Sequence, residues 1–530
     1  MSANAPVTPK RWVVTGIPVF QAEVPGRIRA ALMFRVGQAD EPLYMAGVTH
    51  LIEHLALSGL GEQPYDYNGF VDQVRTAFTV TGTAAQVVDF FNHVIAALAA
   101  LPLDRVPTER RIIESEAAGH YQSSFRETLR LRYGATGFGT VDYSQIGMRW
   151  LTPQAVQAWA ARHFTAGNAA AWLAGPVIPE LRFDLPPGGR LAPPPLTPKR
   201  LHYPVLVEQQ SLGVTLSMVG ERSTALTTGL SILGHRAMQR IRYTEGLSYG
   251  VQTRYEQLDG RLAHLIAHTD PLLEHSTQAG SALLDVADVL SLTGPDAAEL
   301  ARAVAAMDEA LSDPQSAIAE MDSAVHDELL GVAPFALSQV RAEAAALTAT
   351  QVAAALKAAL DTLILVVPTG TRTPRPHFAP YPTQEAHALP GTEFPHLYGS
   401  GEHMIVGPSG ISLRDADRRA VNILWQEIVV GGRWEDGTRL LVGRDGTVIT
   451  FRPPVWRNPG VVLSAIDSNA PADRLVDLEG PSPSAELPRA PKTRRRGSII
   501  AGRAPLLLIF AGLVLVGIAA TLFVVMNGKH

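Results

Sequence analysis

The chain has 530 residues, long enough for several domains. Its 45 Lys and Arg against 50 Asp and Glu leave a net charge of −5, which argues against general nucleic-acid binding. It has no cysteine, so disulfides, thiolate metal sites and cysteine nucleophiles are excluded, and any zinc must be held by histidine and carboxylate.

The first residues, Met1 to Trp12, lack the apolar core of a signal peptide. Strands are expected at Trp12–Thr15 and Arg29–Val36. After Pro42, the stretch Gly47-Val-Thr-His-Leu-Ile-Glu-His-Leu-Ala-Leu reads as an amphipathic helix. His50 and His54 are four residues apart, which puts both imidazoles on one face, one turn apart, where they can grip one ion. Glu53 projects beside them, giving His-x-x-Glu-His, the reverse of the usual zinc-protease order. Two ordinary histidines and a surface glutamate would show the same spacing, so the rest of the chain has to decide. Asn68-Gly69 reads as a turn before the strand Thr76–Thr81, and Val87–Leu101 has helical periodicity. Pro107 suits the start of a helix over 108–118.

A repeat follows. A helix beginning at Leu151–Val156 leads to a strand at Ala169–Ala174 and then Pro176; a helix beginning at Leu347–Val352 leads to a strand at Thr362–Val367 and then Pro368. The reading is two duplicated α+β halves, 1–178 and 200–370, with a Pro-rich linker at 179–199 expected to be stiff and to keep them apart. A second Pro-rich linker spans 371–395. Residues 396–470 show short β runs with Gly turns, including a hairpin at Asp445-Gly446, and read as a small β domain. A linker with a basic cluster, 471–503, leads to 504–526, 23 uncharged apolar residues expected to form one transmembrane helix. Arg489, Lys492, Arg494, Arg495, Arg496 and Arg503 precede that run and only Lys529 follows it. The positive-inside rule then gives a single-pass cell-membrane protein with its body in the cytoplasm and its C-terminus outside, the basic cluster touching anionic headgroups.

Two histidines leave a catalytic zinc site short of a third protein ligand. Glu109 and Glu116 are seven residues apart and share one face of the 108–118 helix, while Glu114 lies off it; a solvated acidic surface would look the same. His264 and His268 fall on a strand, roughly 13 Å apart, too far to share an ion, and a structural role is expected for them.

The arrangement resembles the insulinase/pitrilysin (M16) family of zinc metallopeptidases, in particular the short two-domain bacterial and mitochondrial-processing-peptidase-like members. The resemblance covers about residues 10–370 and implies Zn²⁺ held by His50, His54 and Glu116, with Glu53 as general base and Glu109 orienting a ligand. It sets Asn68 and Gly69 before an edge strand that pairs with substrate backbone. A second match, Arg242-x-x-x-Gly246-Leu247-x-Tyr249, implies that Arg242 and Tyr249 reach the reacting carbonyl, in a paired chain from the other subunit. A peptide substrate and a homodimer, or a heterodimer with a related subunit, follow from the same likeness. His54 to Glu116 is 62 residues, short for the family, as if a helix were missing between His54 and Asn68. The 396–470 domain loosely resembles a bacterial PH-like barrel. Two further readings compete with a membrane-anchored endopeptidase: a non-catalytic peptidase-like scaffold, and a processing subunit that needs a partner.

Overall fold

The computed structural model describes residues 9–479 and 482, apart from 119–123, 144, 210–212, 314, 335–336, 373–374 and 386. The expected transmembrane span 504–526, its basic cluster and most of the linker before it lie outside the described residues. Among the described residues no single helix is long and apolar enough to cross a membrane.

The first half contains strands β1 (Lys10–Val14), β2 (Ile17–Ala22), β3 (Ile28–Phe34), β4 (Asp66–Val71), β5 (Thr76–Gly82) and β6 (Ala169–Ala174). Its helices are α1 (Val48–Leu57), α2 (Ala84–Ala99), α3 (Val106–Ala118), α4 (Ser124–Tyr133) and α5 (Pro153–His163). The sheet order is β1-β2-β6-β3-β5-β4, which leaves β4 on an edge. Its helical face is filled by Leu32, Phe34, Phe78 and Val80 from the strands against Leu51, Leu55, Phe90 and Phe91 from α1 and α2. α2 starts where it does because Thr83 and Gln86 form a reciprocal capping box.

The second half repeats the plan with β7 (Val205–Gln209), β8 (Val214–Glu221), β9 (Val251–Gln257), β10 (Leu262–Thr269), β11 (Ile364–Pro368) and β12 (Ala379–Pro380). Its helices are α6 (Thr224–Met238), α7 (Ser276–Thr293), α8 (Ala297–Ser312), α9 (Ser316–Leu330), α10 (Leu337–Ala345) and α11 (Ala349–Leu360). The order β12-β7-β11-β8-β10-β9 matches the first sheet strand for strand from β2 onward. The sense of pairing matches too: β2 with β6 and β7 with β11 are parallel, and the three pairs beyond them are antiparallel in both sheets.

One strand, Ile17–Ala22, lies between the two named from the sequence. Two sequence expectations are corrected. Asn68 and Gly69 lie inside β4, opposite Thr79 and Phe78, rather than in a turn. The linker 179–199 does not hold the halves apart: Leu181 and Phe183 are buried in the first core, and buried Arg35 donates to the carbonyls of Leu191 and Ala192. The chain is extended, as its prolines dictate, but lies along the first half. The halves pack directly, with Met321, Val325 and Leu329 of α9 against Phe20, Met33 and Trp172 on the free face of the first sheet.

The β region has strands β13 (Thr392–Pro395), β14 (His403–Val406), β15 (Gly410–Arg414), β16 (Ala420–Leu424), β17 (Ile428–Arg433), β18 (Arg439–Gly443), β19 (Val448–Phe451) and β20 (Leu475–Asp477). They form two four-stranded sheets, β13-β14-β15-β16 and β19-β18-β17-β20, packed with helix α12 (Pro459–Asn469) around Ile411, Trp425, Leu441, Phe451 and Ile466. Pairing thus reaches from Thr392 to Asp477, wider than 396–470. The module is also seated on the first half. Val429, Val430, Trp434 and Val442 pack against Leu43, Ala46 and Ala135, with Tyr143, Ile146 and Trp150 at the margin. The Ala135 amide donates to Arg444 O (2.9 Å) across the same contact.

Candidate metal centre

The site is assembled at the start of α1. Gly47 has φ +100°, a conformation that side chains resist, and lets the chain turn into the helix. The buried carboxylate of Glu41 accepts from the Gly47 and Thr49 amides (2.7 and 2.8 Å), satisfying donors that the first turn leaves open. Burial pushes the Glu41 carboxyl up to about 7 against the pull of those hydrogen bonds. Trp159 of α5 donates to Thr49 Oγ1 (3.1 Å) and fixes the same turn from behind.

One turn on, His50 and His54 stack edge to face with ring centroids 4.7 Å apart. Ligand atoms of His50, Glu53 and His54 all lie within 4.8 Å of one another. α3 brings in Glu116, whose Oε2 is 3.8 Å from His50 Nε2 and 3.5 Å from His54 Nε2. Glu53 Oε2 stands at nearly the same distances, 3.7 and 3.8 Å. The two carboxylates differ in setting: Glu53 is buried, Glu116 is exposed. Burial, then the charges of Glu116 and Glu109, push the Glu53 carboxyl up to about 8.

The outer ring nitrogens are also engaged. Glu109 Oε2 lies 3.5 Å from His54 Nδ1, while its Oε1 accepts from Arg105 (2.7 Å). Gln145 places its amide 2.8 Å from His50 Nδ1. Both imidazoles are thereby turned with Nε2 toward the carboxylates. Two such histidines with one or two carboxylates, and no thiolate, make a donor set that fits zinc. β4 closes one side: a Cβ at Gly69 would sit 1.9 Å from Glu53 Oε1, so any larger residue there would push this carboxylate out of its place.

Of the residues singled out from the sequence, His50, Glu53, His54, Glu109 and Glu116 converge, with Gly69 against them. Asn68 is exposed on β4 and its carbonyl accepts from Thr79. Arg242 and Tyr249 form a separate pair. The guanidinium lies 4.4 Å from the Tyr249 ring centre, Tyr249 is 85% exposed, and the segment Gln239–Thr244 packs on α6 and α7 of its own half. His264 is buried, within 2.8 Å of Ser217 Oγ, and burial pushes its pKa well below the usual value. Gln145 was missed. It stands 95 residues from His50 in a short irregular segment, and no spacing rule links the two.

No family model matches the chain. Its likeness to solved structures shows an M16 peptidase-like fold. The peptidase M16 inactive domain from Pseudomonas fluorescens is 18% identical with a TM-score of 0.57, covering 69% of this chain and 100% of that one. The first half of the periplasmic protease PqqL from Escherichia coli is 15% identical with a TM-score of 0.54, covering 69% and 92%. Among curated proteins, coenzyme PQQ synthesis protein F of Pseudomonas aeruginosa is 28% identical over 379 residues, 62% of this chain and 47% of that protein. The chain therefore spans about half the length of the curated relative it matches.

Proposed function

We propose that the protein is a zinc-dependent endopeptidase, anchored to the cell membrane by residues 504–526 with its body in the cytoplasm, that hydrolyses peptides or short unfolded segments. The observation that carries this reading is the convergence of His50, His54 and Glu116 with buried Glu53 on one side of α1. His50, His54 and Glu116 would hold the ion, which when bound supplies a Lewis acid and lowers the pKa of a water. Glu53 takes the proton of the attacking water at its carboxylate and passes it to the leaving amine. The edge of β4 holds the peptide extended by adding it as a further strand, with Gly69 keeping Glu53 within reach of the scissile bond.

The test uses the full chain in detergent with a mixed peptide library, with and without chelator. Cleavage that needs zinc, and that falls about 10³-fold in Glu53→Gln while zinc stays bound, supports the proposal. Zinc-independent cleavage, or full activity in Glu53→Gln, overturns it.

A paired chain is favoured by the Arg242–Tyr249 pair, whose tyrosine is exposed and which is seated on the second half's own helices. In a homodimer these two serve the other subunit's substrate carbonyl. Glu53→Gln and Arg242→Ala chains, each inactive alone, then regain about a quarter of the wild-type rate when mixed and allowed to exchange subunits, a statistical estimate on the order of one site in four. No regain would assign the pair to its own chain or to a different, related subunit.

A further inference from the structure

The two candidate ligand histidines need their outer nitrogens protonated if Nε2 is to face an ion as a lone pair. For His54 the neighbour of Nδ1 is a carboxylate oxygen, Glu109 Oε2 at 3.5 Å, which can only accept and so favours the hydrogen on Nδ1 and the lone pair on Nε2. For His50 the partner is the Gln145 amide, which has one donating and one accepting end. The nitrogen end stands 2.8 Å from Nδ1, while the oxygen end is buried with no hydrogen-bond partner among the described residues. A half-turn about the last side-chain bond exchanges the ends and gives the stranded oxygen the ring N–H. That rotamer turns the lone pair of His50 Nε2 toward the side where Glu53 and Glu116 lie, 3.7 and 3.8 Å away.

The backbone that carries Gln145 is built to hold this position. The residue opens the turn Ile146–Arg149, and a Cβ at Gly47 would meet the Gln145 side chain at 2.8 Å, so Gln145 packs onto the start of α1. Trp150 donates to Tyr44 O (2.7 Å). Tyr143, Ile146 and Trp150 rest on the C-terminal β module.

We propose that Gln145 is a positioning residue for the metal site: its Oε1 accepts the Nδ1–H of His50, fixing the tautomer that offers Nε2 to the ion, and its backbone is held in place by the β module. This rests on the metal-site reading above, but its first readout needs no metal. In the full chain labelled with ¹⁵N-histidine and freed of zinc, His50 is expected as the Nδ1–H tautomer. Gln145→Met, which keeps the bulk and removes the acceptor, should shift His50 toward the Nε2–H form and weaken zinc binding about 10- to 100-fold in a chelator competition. Gln145→Glu, which restores an accepting oxygen, should return both to near wild type. Wild-type His50 found as Nε2–H, or an unchanged tautomer and zinc affinity in Gln145→Met, overturns the assignment. A wild-type chain with the Nδ1–H tautomer that binds zinc but cuts no peptide sinks the peptidase reading and leaves this one standing; a chain that binds no zinc sinks both. If Gln145→Met does not fold, the wild-type tautomer and Gln145→Glu still decide.

Discussion

Strands β3 and β8 hold the same place in the two sheets, and each is followed by the first helix of its half, but the connections differ. β8 reaches α6 through residues 222–223, whereas β3 reaches α1 only after 35–47. The longer path lets Glu41 fold back under α1 and Gly47 turn the chain, so that α1 can bury a glutamate beside two histidines. α6 buries Leu226, Leu230 and Leu233 instead and leaves its His235 exposed. The imidazole that the second half does bury, His264, faces hydroxyls and carries no carboxylate cluster. One chassis thus serves two ends. Chemistry enters where a connecting loop bears the cost of putting charge inside, and the other copy is free to act as wall and support.

That contrast can be broken in graded ways. Leu51→Ala and Leu233→Ala remove fully buried side chains from equivalent helices and should each cost about 3 kcal/mol by chemical denaturation. Only Leu51→Ala should also weaken zinc binding at temperatures where both variants are folded; equal loss in Leu233→Ala would show that the halves do not divide the work. Gly69→Ala thrusts a methyl at Glu53 and should lower kcat roughly 100-fold, whereas Thr253→Ala on β9, the corresponding edge strand of the second sheet, should leave it unchanged.

The halves should also answer pH in opposite senses. Without metal, folded Glu53 keeps its proton to about pH 8, while the unfolded chain gives it up near its ordinary value of 4.5. Stability from this group is therefore full below about 4.5 and lost as pH rises through 8, a change on the order of 2 kcal/mol once the buried group relaxes. His264 is held below its ordinary 6.5, so its contribution is present above that value and lost as pH falls. Denaturation midpoints in chelator from pH 5 to 8.5 test this, and Glu53→Gln should reduce the loss of stability toward alkaline pH to the share left by Glu41, raised to about 7, without changing the acid side.

The metal helix was legible because helical spacing is a local property: residues four apart share a face whatever surrounds them, and Glu109 with Glu116 obeys the same geometry two turns long. The duplicated order of helix, strand and proline was legible for a similar reason. What failed was everything set by the partner of a segment rather than by the segment. Asn68-Gly69 carries a turn signature, but the glycine answers to the close approach of Glu53. Proline content made 179–199 extended without telling that Arg35 would grip it. Gln145 has no signature at all, because its meaning lies in a ring nitrogen it meets only after folding.

The seat of the β module on Leu43, Ala46 and Tyr143–Trp150 has a practical reach. Trimming the chain at Pro395 to make a minimal peptidase would remove the shelf on which both approaches to the metal helix lean. The product would be a loosened site rather than a smaller protein. By the same token, anything that competes for Trp434 and its neighbours, or levers the module away, would work as a brake at a distance, slackening one imidazole without entering the cleft.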